Sequence, residues 1–331
     1  MTHELETDYL VVGAGAMGMA FVDEIVSGSH DAHVTLVDRR SKPGGHWNDA
    51  YRFVTLHQPA AYYGVNSEQL GAGGDDMASG AEITAYYERV LARLCATGRV
   101  TFFPQCDYQG QGRFRSILSE QDYRVTVRRR TVDATWSRVE VPSTRPPAYP
   151  AAPSIGLVPI NDLARLDRNW ERYVVIGAGK TGLDALLYLL GRGVPPEQLT
   201  WIISHDVWML NRRLTMPRFA HHDLPRQLRC LARVEDLDDC YRQFEAEGWV
   251  FRLDPDIWPT RFRCATVTAE ELETLRGLPN VVRMGRVVRI DPTEIVLERG
   301  TIPTHDNVLH VDCTACGLLR RPSRPVFDGS T

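Results

Sequence analysis

A glycine pattern that occurs twice constrains this chain more than any other feature. YLVVGAGAMGMAFVDEI sets Gly13, Gly15 and Gly18 after an apolar run, and RYVVIGAGKTGLDALLYLL sets Gly177, Gly179 and Gly182 in the same frame. G-x-G-x-x-G between a strand and a helix has a specific physics. The first glycine permits a tight turn, the second lets backbone N–H groups approach a pyrophosphate, and the third lets helix and strand pack closely. The helix N-terminus adds partial positive charge. The Gly-Lys-Thr of the second copy does not complete a triphosphate-binding P-loop, which needs a glycine five residues before Gly179, where this chain has Val174. Lys180 and Thr181 are therefore read as fillers of a dinucleotide fingerprint, as Ala16 and Met17 are in the first copy.

The two copies differ at the residue that discriminates ligands. After the first helix, AHVTLVDRR reads as a strand ending in Asp38, followed by Arg39. A carboxylate there can accept both hydroxyls of an adenosine ribose. After the second helix, QLTWIISHDVWMLNRR predicts a strand ending at Ser204 and His205 with no carboxylate at its tip, and with Arg212 and Arg213 further on. A missing carboxylate spares a 2′-phosphate from repulsion, and an arginine fork can pair with one, so this copy leans toward NADPH, with NADH left open. Two adenosine sites in one chain suit a tightly held FAD in the first unit and an exchanging nicotinamide in the second.

At 331 residues two domains are expected, and the fold class predicted is α/β with two Rossmann-like domains, the NAD(P) domain inserted in the FAD domain. The expected division is an FAD-binding part over 1–152, an NAD(P)-binding domain with a helical insertion over 153–284, and a return to the FAD domain over 285–331. The Pro-rich STRPPAYPAAP reads as the crossing linker, after short strands YRVTV, VDATW and SRVEV. VDATW and VDCTA share a short motif. They are read as the chain leaving the first domain and returning to it, and Asp133 of the first is counted among the cofactor-binding candidates. LPRQLRCLARVEDLDDCYRQFEAEG predicts helix, and GAGGDD, with no strand before it, predicts a loop.

With 43% apolar and 24% charged residues and a net charge of -4, the composition removes the electrostatic case for nucleic acid or anionic membrane as a partner. No apolar run approaches the roughly 20 residues of a membrane span, and no secretory leader is recognisable, so a cytoplasmic protein is expected. Seven irregularly spaced cysteines fit reduced thiols, and Cys313 and Cys316 form a C-x-x-C.

GAGAMG, Asp38, PGGHW, GAGKTG and VDCTACG in that order give the chain a resemblance to the two-dinucleotide-binding flavoproteins, and among them to the flavin-containing and Baeyer–Villiger monooxygenases. The resemblance implies that Gly45, His46 and Trp47 lie beside the flavin, and that VDCTACG closes over it with Asp312 near the ribityl or pyrophosphate region. It implies that the LHQP segment, with His57 and Gln58, takes the place of the group's T-N-x-P, and we single out His57, Gln58 and Tyr63 as catalytic candidates. Two departures stand out. The linker motif F-x-G-x-x-x-H appears as Ser154, Gly156 and Ile160, keeping only the glycine, and few residues follow Gly317, so a C-terminal part covering the flavin is expected to be absent unless this is a compact member. The implied activity is reduction of FAD by NADPH followed by transfer to O2 and a small organic substrate. Three alternatives stay open: an NAD(P)H-linked flavin reductase, a dithiol–disulfide reductase using C-x-x-C, and a non-catalytic redox sensor.

Overall fold

The structure, a computed structural model, describes residues 2–136, 142–314, 322–323 and 325–329. It divides into two units. The first gathers residues 1–50, 60–140 and 317–331, and the second gathers residues 51–59 and 141–316.

The first unit begins with β1 (Thr2–Val12), α1 (Ala16–Gly28) and β2 (Val34–Val37). A small hairpin, β3 (Gly64–Val65) with β4 (Glu68–Gln69), precedes α2 (Gly80–Ala96) and β5 (Val100–Phe103). Then come β6 (Cys106–Gly110), β7 (Arg113–Ser116) and the long β8 (Asp122–Asp133). Their sheet has the order β5-β2-β1-β8-β7-β6. β2 reads VTLV and is buried at every residue, as expected of a central parallel strand covered on both faces. On the antiparallel side, Leu10, Val37, Cys106, Phe114 and Val125 form an apolar cluster, and Phe114 stacks on Tyr123 with ring centroids 4.7 Å apart. YRVTV and VDATW were expected as separate short strands. Instead β8 is one strand through Asp133, because it pairs in parallel with β1 along nearly its whole length. SRVEV lies outside the described residues.

The second unit is built around β9 (Gly156–Pro159), β10 (Arg172–Ile176), α3 (Lys180–Gly191) and β11 (Leu199–Ile202). It continues through β12 (Val207–Asn211), α4 (Pro217–Leu231), α5 (Leu237–Ala246), β13 (Val250–Phe251), β14 (Arg261–Val267) and α6 (Ala269–Arg276). It ends with β15 (Val281–Val282), the meander β16 (Val287–Ile290), β17 (Glu294–Leu297) and β18 (Gly300–Pro303), and β19 (Val308–Asp312). The main sheet, β15-β11-β10-β19-β9, is parallel throughout. β19 is buried at all five positions. Within it His310 is held between the Thr304 hydroxyl, 2.9 Å from Nε2, and the Gly156 carbonyl, 3.0 Å from Nδ1.

Residues 285–314 therefore do not return to the first unit. β19 pairs with β10, the strand that carries the second fingerprint, so VDCTA closes the second unit. The two V-D-x-T motifs are matching ends of a structural repeat. β8 and β19 each run beside the fingerprint strand of their own unit. Asp133 Oδ1 accepts from Thr135 N at 2.9 Å and Thr135 Oγ1 at 2.6 Å, and Asp312 Oδ1 accepts from Thr314 N at 3.1 Å and Thr314 Oγ1 at 2.6 Å.

Candidate functional site

Each unit carries a glycine loop with the same local construction. Gly13 has φ 102° and Gly177 has φ 132°, the left-handed region in which a side chain is strained. The neighbouring D-x-T turn also forbids one. A Cβ on Gly13 would lie 2.8 Å from Thr135 Cγ2, and one on Gly177 would lie 2.9 Å from the Cys313 carbonyl oxygen. The third glycines, Gly18 and Gly182, would overlap the carbonyls of Gly13 and Gly177 if they bore a side chain, which is the close helix–strand packing expected of that position.

The helices that open at these loops differ from α2 and α6, and share with α4 the lack of a side-chain cap and of an acidic first turn. α2 and α6 start with complete capping boxes, Ser79 with Glu82 and Thr268 with Glu271. α1 and α3 start at Gly15 and Gly179 with no side-chain cap and no acidic residue in the first turn. Their first backbone N–H groups lack a side-chain acceptor and carry the helix's partial positive charge, an arrangement able to receive an anion. A Cβ on Gly179 would touch nothing within 4 Å. Packing does not require glycine there, whereas close approach of a phosphate does.

In the first unit the buried Asp38 carboxylate follows β2 and fixes the loop. Its Oδ2 accepts from Ala14 N at 2.6 Å and its Oδ1 from Arg40 N at 2.7 Å. Each oxygen keeps a lone pair for a ribose hydroxyl. The PGGHW segment packs against the same loop, backbone to backbone: Gly44 N donates to Ala14 O at 2.8 Å, and a Cβ on Gly45 would stand 3.0 Å from Gly15 Cα. His46 stacks on Trp47 with centroids 5.2 Å apart, and burial holds its imidazole below the ordinary pKa. Ala16 and Met17 are exposed in the first turn of α1. Arg39 pairs with Asp107 at 3.2 Å on the surface. These residues fit the adenosine and pyrophosphate of a dinucleotide such as FAD.

In the second unit β11 stops at Ile202, earlier than the predicted end at Ser204 and His205. Gly177 N donates to Ile202 O at 3.0 Å, as Gly13 N donates to Val37 O at 2.8 Å. Ile203 is thus the counterpart of Asp38, and it is apolar and buried. His205 follows beside Ser204, its Nδ1 3.2 Å from the hydroxyl. Thr181 lies in the first turn of α3, and the Lys180 ammonium is bonded to Asp184 one turn on. The Tyr51 hydroxyl donates to the same carboxylate; burial and the Asp184 charge push its pKa far above the ordinary value, so it stays a donor.

Three expectations about site residues need correction. Arg212 does not offer a free fork: its Nη1 donates to Glu271 Oε1 at 2.9 Å and its Nη2 to Thr266 O at 3.1 Å. Arg213 lies over the Phe219 ring, 4.2 Å from the centroid, in the short 3-10 turn that precedes α4. Asp312, expected beside the flavin, ends β19 in the second unit, and its counterpart Asp133 holds the equivalent turn in the first.

The catalytic candidates are divided between the units. His57 and Gln58 lie in the 51–59 segment, which is held to the second unit by Phe53 stacking on Tyr188 at 3.9 Å and by Thr266 Oγ1 donating to His57 O at 2.8 Å. Burial, and then the Lys180 charge, keep the His57 imidazole below its ordinary pKa and hence neutral near pH 7. Tyr63 belongs to the first unit, where its N–H donates to Ala60 O at 2.9 Å. Cys313 is buried, and burial raises its thiol well above the ordinary pKa. Its C-x-x-C partner Cys316 lies outside the described residues. Among the described residues no cluster of three metal-ligating side chains occurs, and no helix is long and apolar enough to cross a membrane.

Comparison with known proteins places this architecture. Residues 11–66 match the NAD(P)-binding Rossmann-like domain family. Over 94% of the chain the structure superposes on a flavin-containing monooxygenase from Stenotrophomonas maltophilia, with a TM-score of 0.55, 16% identity and 78% of that chain covered. The NADP+-bound cyclohexanone monooxygenase of Rhodococcus sp. Phi1 matches 94% of the chain and 71% of its own at TM-score 0.59 and 12% identity. The chain has the flavin-dependent monooxygenase fold. An NADP-bound steroid monooxygenase gives TM-score 0.59 and 16% identity over 94% of the chain and 72% of its own. By sequence, the chain is 46% identical over 340 residues to Uncharacterized protein Rv2000 of Mycobacterium tuberculosis and to Uncharacterized protein Mb2023 of Mycobacterium bovis, with 98% of the chain aligned. It spans 63% of the length of these relatives.

Proposed function

We propose that the chain is an NAD(P)H-dependent flavoprotein oxidoreductase, with FAD held by the first unit and NADPH by the second, acting with O2 on a small organic substrate. The observation that carries this reading is the unequal pair of loops. Both helices are left uncapped for a pyrophosphate, but only the first loop is followed by a carboxylate able to take a ribose diol. When bound, a flavin would supply the acceptor for hydride from NADPH and the means of passing electrons to oxygen or another acceptor. The chain's own residues do the positioning. Gly13, Gly15 and Gly18 admit the pyrophosphate, Asp38 orients the adenosine ribose, and Gly45 to Trp47 lie against the same loop. In the second unit Gly177, Gly179 and Gly182 take the nicotinamide dinucleotide. His57, neutral and placed by Thr266, has a ring nitrogen able to donate a hydrogen bond.

One observation favours a second reading, an NAD(P)H-linked flavin reductase without oxygenation. In the linker frame, Gly156 is required by packing, since a Cβ there would lie 2.6 Å from the Trp170 ring, and Ile160 is fully buried and apolar. Neither offers the polar group that the resembling monooxygenases carry. The buried, protonated Cys313 thiol gives no support to dithiol exchange, which requires a thiolate. The experiment is aerobic NADPH oxidation by flavin-loaded protein with small ketones and sulfides. Oxygenated product matching NADPH consumed supports monooxygenation, and stoichiometric hydrogen peroxide with every substrate leaves the reductase.

A further inference from the structure

The tip of β11 is flanked by arginines from two other elements. On one side, Ile203 N donates to Val282 O at 3.0 Å, which brings the turn from Arg283 to Arg286 alongside the tip. On the other side β12 pairs in parallel with β14, and Val207 stands opposite Arg261. Ser204 and His205 lie between. The ladder then slips: Trp208 faces Phe262 and Leu210 faces Thr266, so four steps along β14 match two along β12. Cys264 takes φ 53° in this bulge, and Arg261 to Cys264 are all exposed. Bulges of this kind re-aim side chains.

The charges at this tip are unbalanced. Arg283 is engaged, its Nε lying 3.1 and 3.3 Å from the two Asp206 oxygens. Arg261, Arg263 and Arg286 are exposed, and their guanidinium groups have no hydrogen-bond or ion-pair partner among the described residues. His205 registers them. Its imidazole is held below the ordinary pKa by burial first and then by Arg261, Arg286 and Arg263, with Glu298 opposing.

Register with the first unit says what this excess of positive charge faces. Asp38, the ribose-diol position, corresponds to Ile203, and the next two residues, Ser204 and His205, continue past it at the tip. A group attached to the adenosine 2′-oxygen would meet this neighbourhood, where a dianion is repelled by no carboxylate at the Asp38 position. We propose that Arg261, Arg263 and Arg286 form the recognition site for the 2′-phosphate of NADPH, in place of the Arg212 and Arg213 pair. This rests on the reading of the second unit as the nicotinamide-nucleotide unit.

The test is calorimetric binding of 2′,5′-ADP, which carries the 2′-phosphate, against 5′-ADP, which lacks it, to the flavin-loaded protein. The wild type is expected to prefer 2′,5′-ADP. Each of Arg261→Gln, Arg263→Gln and Arg286→Gln should weaken 2′,5′-ADP by roughly threefold to tenfold, the scale of an exposed charge-assisted contact, and change 5′-ADP less than about twofold. The triple variant should bind both nucleotides alike, and the corresponding lysine variants should recover part of the preference. Because all three side chains are exposed, the melting temperature should not move. A triple variant that keeps the wild-type preference overturns the inference. Binding of 5′-ADP without any preference in the wild type overturns it while leaving the nucleotide reading intact, and binding of neither nucleotide removes both.

Discussion

Asp38→Ala separates the account from a purely architectural one. In the folded chain the carboxylate accepts hydrogen bonds from two backbone N–H groups, Ala14 at 2.6 Å and Arg40 at 2.7 Å, and is 7% exposed. Truncation leaves the buried Ala14 N–H without an acceptor, while Arg40 N, nearer the surface, can turn to water. An unsatisfied buried donor costs about 1–3 kcal/mol, and a hydrogen bond to a charged group contributes about 1.5–3 kcal/mol. A loss of roughly 2–4 kcal/mol without ligand follows, or about 5–12 °C in melting temperature for a unit of this size. A second loss appears only with FAD, because the ribose diol has no acceptor left: affinity should fall by about 10- to 100-fold on the same scale. The assay is a pair of melting curves, with and without added FAD, for wild type and variant. We expect a lower melting temperature without ligand and a smaller rise on adding FAD. An unchanged FAD-dependent rise would refute the assignment of Asp38 to the ribose, even if the baseline drops.

Other consequences can be checked separately. Gly182→Ala would drive a methyl group into the Gly177 carbonyl; the overlap should cost about 2–4 kcal/mol and abolish nucleotide binding by the second unit while FAD content is retained, as absorbance at the flavin band would measure. Ile203→Asp places a carboxylate where the first unit has Asp38, with the Ala178 N–H as its expected partner, and should shift the KM ratio toward NADH by about tenfold or more; an unchanged ratio would contradict the register argument. His310 is buried and burial holds its pKa below the ordinary value. The unfolded chain therefore takes up a proton near pH 6.5 that the folded chain refuses, so this stability is complete above that pH and is lost as pH falls, at up to about 1.4 kcal/mol per pH unit. In urea unfolding between pH 5 and 8, His310→Gln should flatten that slope, and an identical slope would exclude His310 as its source.

Local chemistry made part of this fold legible in the sequence. The two glycine frames, Asp38 and the helical character of 224–248 follow from spacing and side-chain type within short stretches, while the start of α4 at Pro217 and the break before α5 at Leu237 do not. What escaped depends on partners far apart in the chain. Phe53 meets Tyr188 and Tyr51 meets Asp184, so 51–59 joins the second unit although it is surrounded by residues of the first. V-D-x-T was visible twice, yet only strand pairing shows that it ends the neighbour of each fingerprint strand. Arg212 looked free because Glu271, its partner, stands at the start of a helix 59 positions later. Conversely, Arg261, Arg263 and Arg286 carried no local signal, since the ladder between β12 and β14 and the pairing of β11 with β15 are what bring them to one strand tip.

The most direct test of the central claim is an anaerobic titration of the purified, FAD-loaded chain with NADPH, followed by its visible spectrum. The yellow flavin band should bleach with about one equivalent of NADPH, and Gly179→Val should block bleaching by NADPH but not by dithionite. A chain that takes up no FAD, or whose bound FAD keeps its colour under excess NADPH while dithionite bleaches it, would contradict the pairing of a flavin unit with a nicotinamide unit.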